Sequence, residues 1–376
     1  MLVTGGTGKV GGAVVRAARA AGHEVRVLVR DVDRAGRLLP PGVTPVLGDV
    51  TDPASLAAAC DGCEVVFNAM GLPEQWLADP SRFDRVNVEG SVNVARAAAA
   101  AGVRRLVHTS TVDVFDAPPG GRFDETCVAT APKLTAYERS KQRAEQALLA
   151  LLGTPPAAGG AAGKGAAGKG AAGKGGAARA ARTGGDSGRA AGRGATGGIS
   201  GGTNGGNSGG TDVVFANAAT VYGLGPTGPA SMETQLFRLV LRGLLPAVPP
   251  GGFGVVFTEG LAQGHLLAAE HGRPGERYIF CDEHATLMRL AHTVVEATGR
   301  GRPPLMTIPT PVAKAMAAAG EAVARVTRRP PPLARGQLQY LLWNAVPDAT
   351  KARKELGWQP TPLAEGIRRT VVETGL

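Results

Sequence analysis

Thr111, Tyr137 and Lys141 could together move a proton to or from a substrate oxygen. Tyr137 and Lys141 are four residues apart, so on a helix they share one face. A nearby ammonium favours the phenolate, and we expect it to lower the tyrosine pKa from its ordinary value of about 10. Such a pair exchanges a proton with a hydroxyl or carbonyl while a nicotinamide handles the hydride. Thr111 follows a predicted strand, and its hydroxyl could bind the same oxygen.

Gly5, Gly8 and Gly11 form a G-x-x-G-x-x-G loop directly after the apolar strand at residues 2–4. A pyrophosphate needs backbone N–H groups that approach closely, and a helix amino end supplies a favourable dipole. The loop therefore predicts a dinucleotide site. A tight turn that binds no ligand is the alternative.

The second predicted strand ends at Val29 and Arg30, where NAD sites usually carry an acid for the ribose 2′-hydroxyl. An arginine suits a 2′-phosphate, so the sequence favours NADP over NAD. Asp31 could weaken this preference, and a solvated strand-end arginine is the alternative interpretation.

Strands and helices alternate through the first 150 residues, which predicts a parallel sheet covered on both faces. We expect a Rossmann-type, doubly wound α/β fold with a smaller mixed α/β substrate region. The dinucleotide-binding domain is predicted over residues 1–154 and 211–225, and the substrate region over 226–376. Some segments of the latter are expected to return to the main sheet.

Residues 155–210 hold 22 of the 56 glycines and a net charge of +6, out of +10 for the 376-residue chain. This composition predicts a flexible insertion at the edge opposite the cofactor. We expect at most weak polyanion contact through it and no nucleic-acid partner. With no apolar run of 18 residues and no leader, a cytoplasmic protein without membrane contact is predicted. Residues 311–326 are predicted to form a packed or surface helix, because Lys314, Glu321 and Arg325 interrupt them.

Ordered motifs along the chain resemble extended short-chain dehydrogenase/reductases of the NAD-dependent epimerase/dehydratase group. Within that group the chain resembles the dihydroflavonol-4-reductase-like and hopanoid-associated sugar epimerase-like branch. The matching segments are TGGTGKVG (4–11), GDVTD (48–52), NA (68–69), NVEG (87–90), HTST (108–111), DET (124–126), YERSK (137–141), TVYG (220–223), GHLLA (264–268), GERYI (275–279) and KARKELGWQP (351–360).

The resemblance implies a role for each matching residue. Tyr137 would be the general acid/base, Lys141 would hold the nicotinamide ribose, and Thr111 would replace the commoner serine. Asn217 matches an asparagine of some sugar-nucleotide epimerases and would contact substrate. A homodimer through the Tyr137 helix and the preceding helix is also implied. The cofactor would be lined by Gly5, Thr7, Gly8, Lys9, Val10, Gly11, Arg30, Asp49, Val50, Asn68 and Ala69, together with Tyr137 and Lys141.

The predicted function is an NAD(P)-dependent oxidoreductase acting on a small molecule, and an NAD(P)-dependent sugar epimerase is the alternative. Dehydration is not expected, because Val112 stands where dehydratases carry the first of two acids. A non-catalytic NADP-sensing protein with a polyanion-binding insertion is the second alternative. No metal is predicted, since Cys60 and Cys63 have neither a second pair nor clustered histidines.

Overall fold

A computed structural model of the chain describes residues 1–74, 76–152, 210–227 and 231–376, which belong to one compact unit. The predicted insertion at 155–210 lies outside the described residues, apart from Gly210. None of the described helices is both long enough and apolar enough to cross a bilayer.

The strands are numbered in chain order. They are β1 (Leu2–Thr4), β2 (Val25–Val29), β3 (Val43–Leu47), β4 (Val65–Asn68), β5 (Arg105–Thr111), β6 (Arg122–Phe123), β7 (Asp212–Ala218), β8 (Thr220–Tyr222), β9 (Ala247–Val248), β10 (Gly252–Phe257), β11 (Arg277–Phe280), β12 (Glu283–Thr286), β13 (Met306–Thr307) and β14 (Val346–Pro347).

The α-helices are numbered in the same way. They are α1 (Lys9–Ala20), α2 (Val32–Gly36), α3 (Ala57–Cys60), α4 (Ser81–Phe83), α5 (Gly90–Ala100), α6 (Ala136–Leu151), α7 (Arg238–Leu241), α8 (Thr258–His271), α9 (Leu287–Thr298), α10 (Thr310–Thr327), α11 (Arg335–Trp343), α12 (Thr350–Leu356) and α13 (Leu363–Thr374). A π-helical stretch, Asp84–Glu89, joins α4 to α5, and a 3₁₀ turn, Val112–Val114, follows β5.

The central sheet has seven parallel strands in the order β3-β2-β1-β4-β5-β7-β11. The strand order reverses at β1, which lies between β2 and β4. In such sheets a crevice for ligands opens at the carboxyl ends of the strands beside this reversal. The predicted Rossmann-type fold is therefore confirmed.

Successive residues of the strands point into two different apolar layers. Val3, Phe67 and Val107 face a core shared with α1 and α8, whereas Leu2 and Leu106 face a core shared with α3, α5 and α6. Because both faces are covered, the strands are apolar runs rather than alternating ones. This rigid double layer fixes the loops at the strand ends.

The C-terminal residues divide between the central sheet and a smaller one. β11 completes the seven-stranded sheet, and α8 packs against α1. A three-stranded sheet, β8-β10-β12, packs with α9 and α13 around its own apolar core. The predicted return of some C-terminal segments to the main sheet is thus seen at β11.

Candidate active site and cofactor-binding site

The glycine loop is too crowded for any side chain at two of its positions. A Cβ on Gly5 would lie 2.8 Å from the carbonyl oxygen of Ala69, and one on Gly11 would lie 2.3 Å from the oxygen of Gly5. Gly5 also has a φ of +69°, in the left-handed region that favours glycine. The loop therefore turns tightly against the end of β4, next to Ala69, one of the residues predicted to line the cofactor.

Gly8 is the N-cap of α1 and, lacking a side chain, leaves the first N–H groups of that helix without a side-chain cap. A helix amino end left open in this way is an anion site. These residues fit the pyrophosphate of a dinucleotide. Val10 differs from the expected contact, because it packs against the apolar core.

Lys9, which is expected to line the cofactor, makes its side-chain contacts with the protein in this structure. Its ammonium lies 2.8 Å from Oε1 of Glu233 and donates to the carbonyl oxygen of Gly223 at 3.0 Å. Glu233 is almost completely buried, with 1% of its side chain exposed. Lys9 thus ties the cofactor loop to the segment that follows β8.

Arg30 is exposed just after the end of β2, which is compatible with both a 2′-phosphate contact and the solvated arginine that the sequence left open. The neighbouring Asp31 is occupied as the N-cap of α2, where its carboxylate accepts from the Arg34 N–H at 2.9 Å. Burial acts to raise the pKa of Asp49, but hydrogen bonds from Thr51 and the charge of Arg30 lower it overall. Arg30 and Asp49 therefore share one end of the site, and Val50 lies beside them against Gly90.

The side chain of Asn68 is fully buried beneath the cofactor loop. It accepts from the Thr4 hydroxyl at 2.7 Å and donates to Ser91 at 3.2 Å, and its Nδ2 lies 3.1 Å from Nδ1 of His108. The amide group of Asn68 is therefore engaged in contacts within the protein, and these contacts join β1, β4 and β5. Only the backbone at Asn68 and Ala69 remains to face a cofactor.

Thr111, Tyr137 and Lys141 come together at the carboxyl end of β5. Thr111 is the last residue of that strand, and Tyr137 and Lys141 lie in the first turns of α6. A capping box starts this helix, with Thr135 and Glu138 each bonding to the backbone of the other. This capping box fixes the amino end of α6 and therefore the direction in which the side chain of Tyr137 points.

The structure corrects the expected direction of the tyrosine pKa. Burial and the charge of Asp113 raise the pKa of Tyr137, and the hydrogen bond of the Thr111 hydroxyl only partly lowers it. Burial lowers the pKa of Lys141 to about 8 against the opposing charges of Glu145 and Asp113, and its ammonium donates to the Thr109 carbonyl at 3.0 Å. The phenol of Tyr137 is therefore protonated at neutral pH.

Asp113 also belongs to this site, although it is not among the residues that the sequence assigned to it. Its carboxyl is buried, its Oδ1 has no hydrogen-bond partner among the described residues, and its backbone N–H donates to the Thr111 hydroxyl at 3.2 Å. Burial and the charge of Glu138 raise its pKa to about 7. The feature of the sequence that could have identified Asp113 is its position two residues after Thr111, at the end of a strand.

Asn87 is a second residue that sequence reasoning did not assign to the site. Its Oδ1 accepts from the Leu72 N–H at 2.8 Å, and its Nδ2 donates to Ser140 at 2.9 Å. The Ser140 hydroxyl in turn donates to the Tyr137 carbonyl at 2.7 Å. Asn87 is thus a positioning residue for α6, and the NVEG motif that contains it was its signal.

Asn217 lies behind Thr111, with its side chain fully buried. Its Nδ2 donates to the Thr111 carbonyl at 3.2 Å and to Glu145 at 2.8 Å. Glu145 also pairs with Arg277 at 2.6 Å. This burial contradicts the expected substrate contact, because the amide joins β5, β7 and α6 instead of facing open space.

Residues from four places therefore lie along the carboxyl edge of the sheet. The amino end of α1 supplies an anion site, Arg30 follows β2, and β5 and α6 supply a hydroxyl, a protonated phenol and an ammonium. Within the described ranges, no cluster of His, Cys, Asp or Glu could hold a metal ion. This fold and this arrangement define the class of nicotinamide-dependent enzymes.

Comparison with known proteins agrees with that class. Residues 1–153 match the model of the NAD dependent epimerase/dehydratase family. A Synechocystis sp. protein named as a dihydroflavonol 4-reductase is 27% identical, over 98% of this chain and 93% of its own length. Sterol demethylase protein B of Methylococcus capsulatus is 26% identical, over 96% and 93%. Residues 1–153 therefore match the NAD dependent epimerase/dehydratase family, and the relatives show that the likeness to its enzymes extends over nearly the whole chain.

A solved structure shows the same fold. The UDP-glucose 4-epimerase of Thermus thermophilus, solved in complex with NAD, superposes with a TM-score of 0.66 at 22% identity. The match covers 99% of this chain and 97% of that one. At this identity the likeness concerns the fold alone.

Proposed function

We propose that this enzyme is an NADP-dependent reductase of a carbonyl compound, with Tyr137 as the proton donor. The observation that carries the proposal is that Thr111, Tyr137 and Lys141 come together at the carboxyl end of β5, with the phenol of Tyr137 neutral. A neutral phenol can give a proton to a carbonyl oxygen, whereas oxidation of an alcohol first requires a phenolate.

The nicotinamide, when bound, supplies the hydride. Tyr137 gives its phenolic proton to the substrate oxygen, and the Thr111 hydroxyl bonds to the same oxygen and orients it. The Lys141 ammonium stabilises the phenolate that this transfer leaves behind. Lys141 is also the group positioned to bond to the nicotinamide ribose.

Asp113 tunes this proton donor. Its carboxylate raises the pKa of both Tyr137 and Lys141. With its own pKa raised to about 7, Asp113 ionises near neutral pH. The acidity of Tyr137 is therefore coupled to a second buried acid.

Arg30 supports the NADP preference. It is exposed at the end of β2, and Asp31, the acid that could weaken the preference, is committed to capping α2. An exposed guanidinium at this position suits a 2′-phosphate.

Aromatic side chains pack near Asp113 and Tyr137. Burial raises the pKa of Tyr340, and the nearby charge of Asp113 raises it further. Its ring centroid is 6.1 Å from that of Trp343, which stacks on Phe123 at 5.0 Å. The names of the dihydroflavonol and sterol enzymes among the relatives agree with a ring-bearing carbonyl compound.

The test is to incubate the enzyme with NADPH and a panel of dihydroflavonols and 3-ketosteroids, and separately with NAD+ or NADP+ and UDP-glucose, and to identify products by mass spectrometry. We expect a ring ketone to be reduced with loss of NADPH absorbance. Conversion of UDP-glucose to its epimer with the oxidised cofactor, and with no net change in cofactor, would favour the epimerase alternative instead. Cofactor binding with no turnover of any compound would favour the sensing alternative. The homodimer and the polyanion contact of residues 155–210 remain predictions.

A further inference from the structure

Helix α10 carries a stripe of large apolar side chains that face solvent. Val312, Met316, Val323 and Val326 are 49%, 52%, 61% and 85% exposed. Their spacing of four, seven and three residues places them on one face of the helix. We name these four residues the α10 stripe. Leu305 and Met306, just before the helix, are 82% and 55% exposed.

The face that packs on the protein is built from small residues instead. Ala313, Ala317 and Ala324 are buried, and the first two form a small core with Leu338 of α11. An ordinary surface helix buries its largest apolar residues and exposes its small and polar ones. The reversed arrangement in α10 indicates that its outer face contacts another apolar surface, outside the fold of this chain.

The stretch of sequence that contains the stripe is strongly positive. Residues 300–335 contain seven lysines and arginines and one acid, a net +6, whereas the chain outside 155–210 and 300–335 has a net −2. Lys314, Arg325, Arg328 and Arg329 are exposed. The single acid, Glu321, has a side chain only 14% exposed, and its carboxylate accepts from the Arg335 N–H at 2.7 Å.

We infer that α10 binds reversibly to the surface of an anionic lipid bilayer. An apolar stripe that enters the acyl boundary, with cations at the headgroups, is the pattern of a helix that lies in the interface. The helix does not need to span the bilayer, so the finding that no described helix can do so is compatible with this binding. The surface helix predicted from the sequence agrees with α10. The α10 stripe, however, argues against the expected absence of membrane contact.

A second copy of the chain is a poorer occupant. In a two-fold dimer the same patch meets itself, so two segments of net +6 would face each other. An anionic bilayer matches both the apolar stripe and the net positive charge of residues 300–335.

The test is flotation of the full chain with vesicles at about 0.1 M NaCl. One set contains phosphatidylcholine alone, and the other also contains about one-third phosphatidylserine. We expect binding to the anionic vesicles and little binding to the neutral ones. The double variant Met316→Ser/Val323→Ser should weaken anionic binding by about tenfold, because two apolar side chains no longer enter the bilayer.

Val372→Ser on α13 is the matched control, since Val372 is 68% exposed and lies outside the stripe. Its binding should stay within about twofold of wild type, and thermal unfolding should show that all variants fold. If Met316→Ser/Val323→Ser binds as wild type does, the basic residues elsewhere account for the contact and the inference is wrong. It is equally wrong if the double variant halves the particle mass in solution while vesicle binding is unchanged.

Discussion

The Lys9 ammonium and the Glu233 carboxylate meet at 2.8 Å, and they join the first helix of the chain to the segment after β8. Gly223 closes a ring of contacts with these two residues. Its N–H donates to Glu233 Oε1 at 2.7 Å, and its carbonyl oxygen accepts from the Lys9 ammonium. With 16% and 1% of the two side chains exposed, the pair is largely shielded from water. The cofactor loop is therefore coupled to the C-terminal half by one ionic contact.

Replacing Lys9 alone should be more harmful than replacing both partners. Lys9→Met leaves the Glu233 charge buried without its cation, which costs about 3 kcal/mol of unfolding free energy. In Lys9→Met/Glu233→Gln the amide still accepts from Gly223 and no buried charge remains, so we expect recovery of about 1 kcal/mol or more. Urea unfolding of the wild type, both single variants and the double variant measures the coupling.

The same variants decide between two roles for Lys9. If the ammonium binds the pyrophosphate instead, Lys9→Met should weaken NADPH affinity while unfolding free energy hardly changes. Additive unfolding free energies in the four proteins would contradict the coupled pair that the structure shows.

Arg30→Ala should weaken the binding of NADPH much more than the binding of NADH. Loss of charge-assisted hydrogen bonds to a 2′-phosphate should raise the NADPH dissociation constant by about 10- to 100-fold. NADH lacks that phosphate, and its dissociation constant should change by less than about threefold. Fluorescence titration measures both, with Arg289→Ala as the control at an exposed arginine on α9. An equal loss for both cofactors would remove Arg30 from this role.

Local patterns in the sequence were enough to predict the sheet. The predicted strand at residues 2–4 has the same bounds as β1, and the helix predicted at residues 311–326 differs from α10 by one residue at each end. The apolar residues of these segments and the glycine loop after β1 encode these elements locally. β11 was not predicted, because its placement depends on pairing with β7, far earlier in the chain.

The environment of the site could not be derived in the same way. The spacing of Tyr137 and Lys141 predicted that they share a face, but the sign of the tyrosine pKa shift depends on burial and on Asp113. The ammonium of Lys141 bonds to the Thr109 carbonyl. Such contacts arise from tertiary packing between β5 and α6, and no local motif specifies them.

Tyr137→Phe tests the proton donor directly. The ring keeps its edge-to-face contact with Phe83, at 6.1 Å between centroids, so the fold should be retained. Removing the hydroxyl should lower kcat by about 10²- to 10⁴-fold, as expected for loss of a general acid. Stopped-flow measurement of NADPH oxidation gives kcat, and a titration should show cofactor affinity within about threefold of wild type. Undiminished turnover would exclude Tyr137 as the donor.

Asp113→Asn should change the pH dependence of stability. The native pKa of Asp113, about 7, lies above its ordinary value of 3.8, so the ionised form is disfavoured in the folded chain. Wild-type stability is therefore lost as the pH rises from about 4 to about 7, and it stays lower above that range. The variant lacks this loss, and we expect its Tm to exceed that of wild type by a few degrees at pH 8 but not at pH 4.

The same substitution should move the pH profile of kcat/KM. Because the Asp113 charge raises the pKa of both Tyr137 and Lys141, its removal should shift the alkaline limb to lower pH by roughly half a unit or more. Ala129→Ser, at a buried site on the loop before α6, is a control for general perturbation of the region. A variant that is only structurally damaged would lose kcat/KM equally at every pH. Parallel pH profiles for wild type and Asp113→Asn would show that Asp113 does not tune the proton donor.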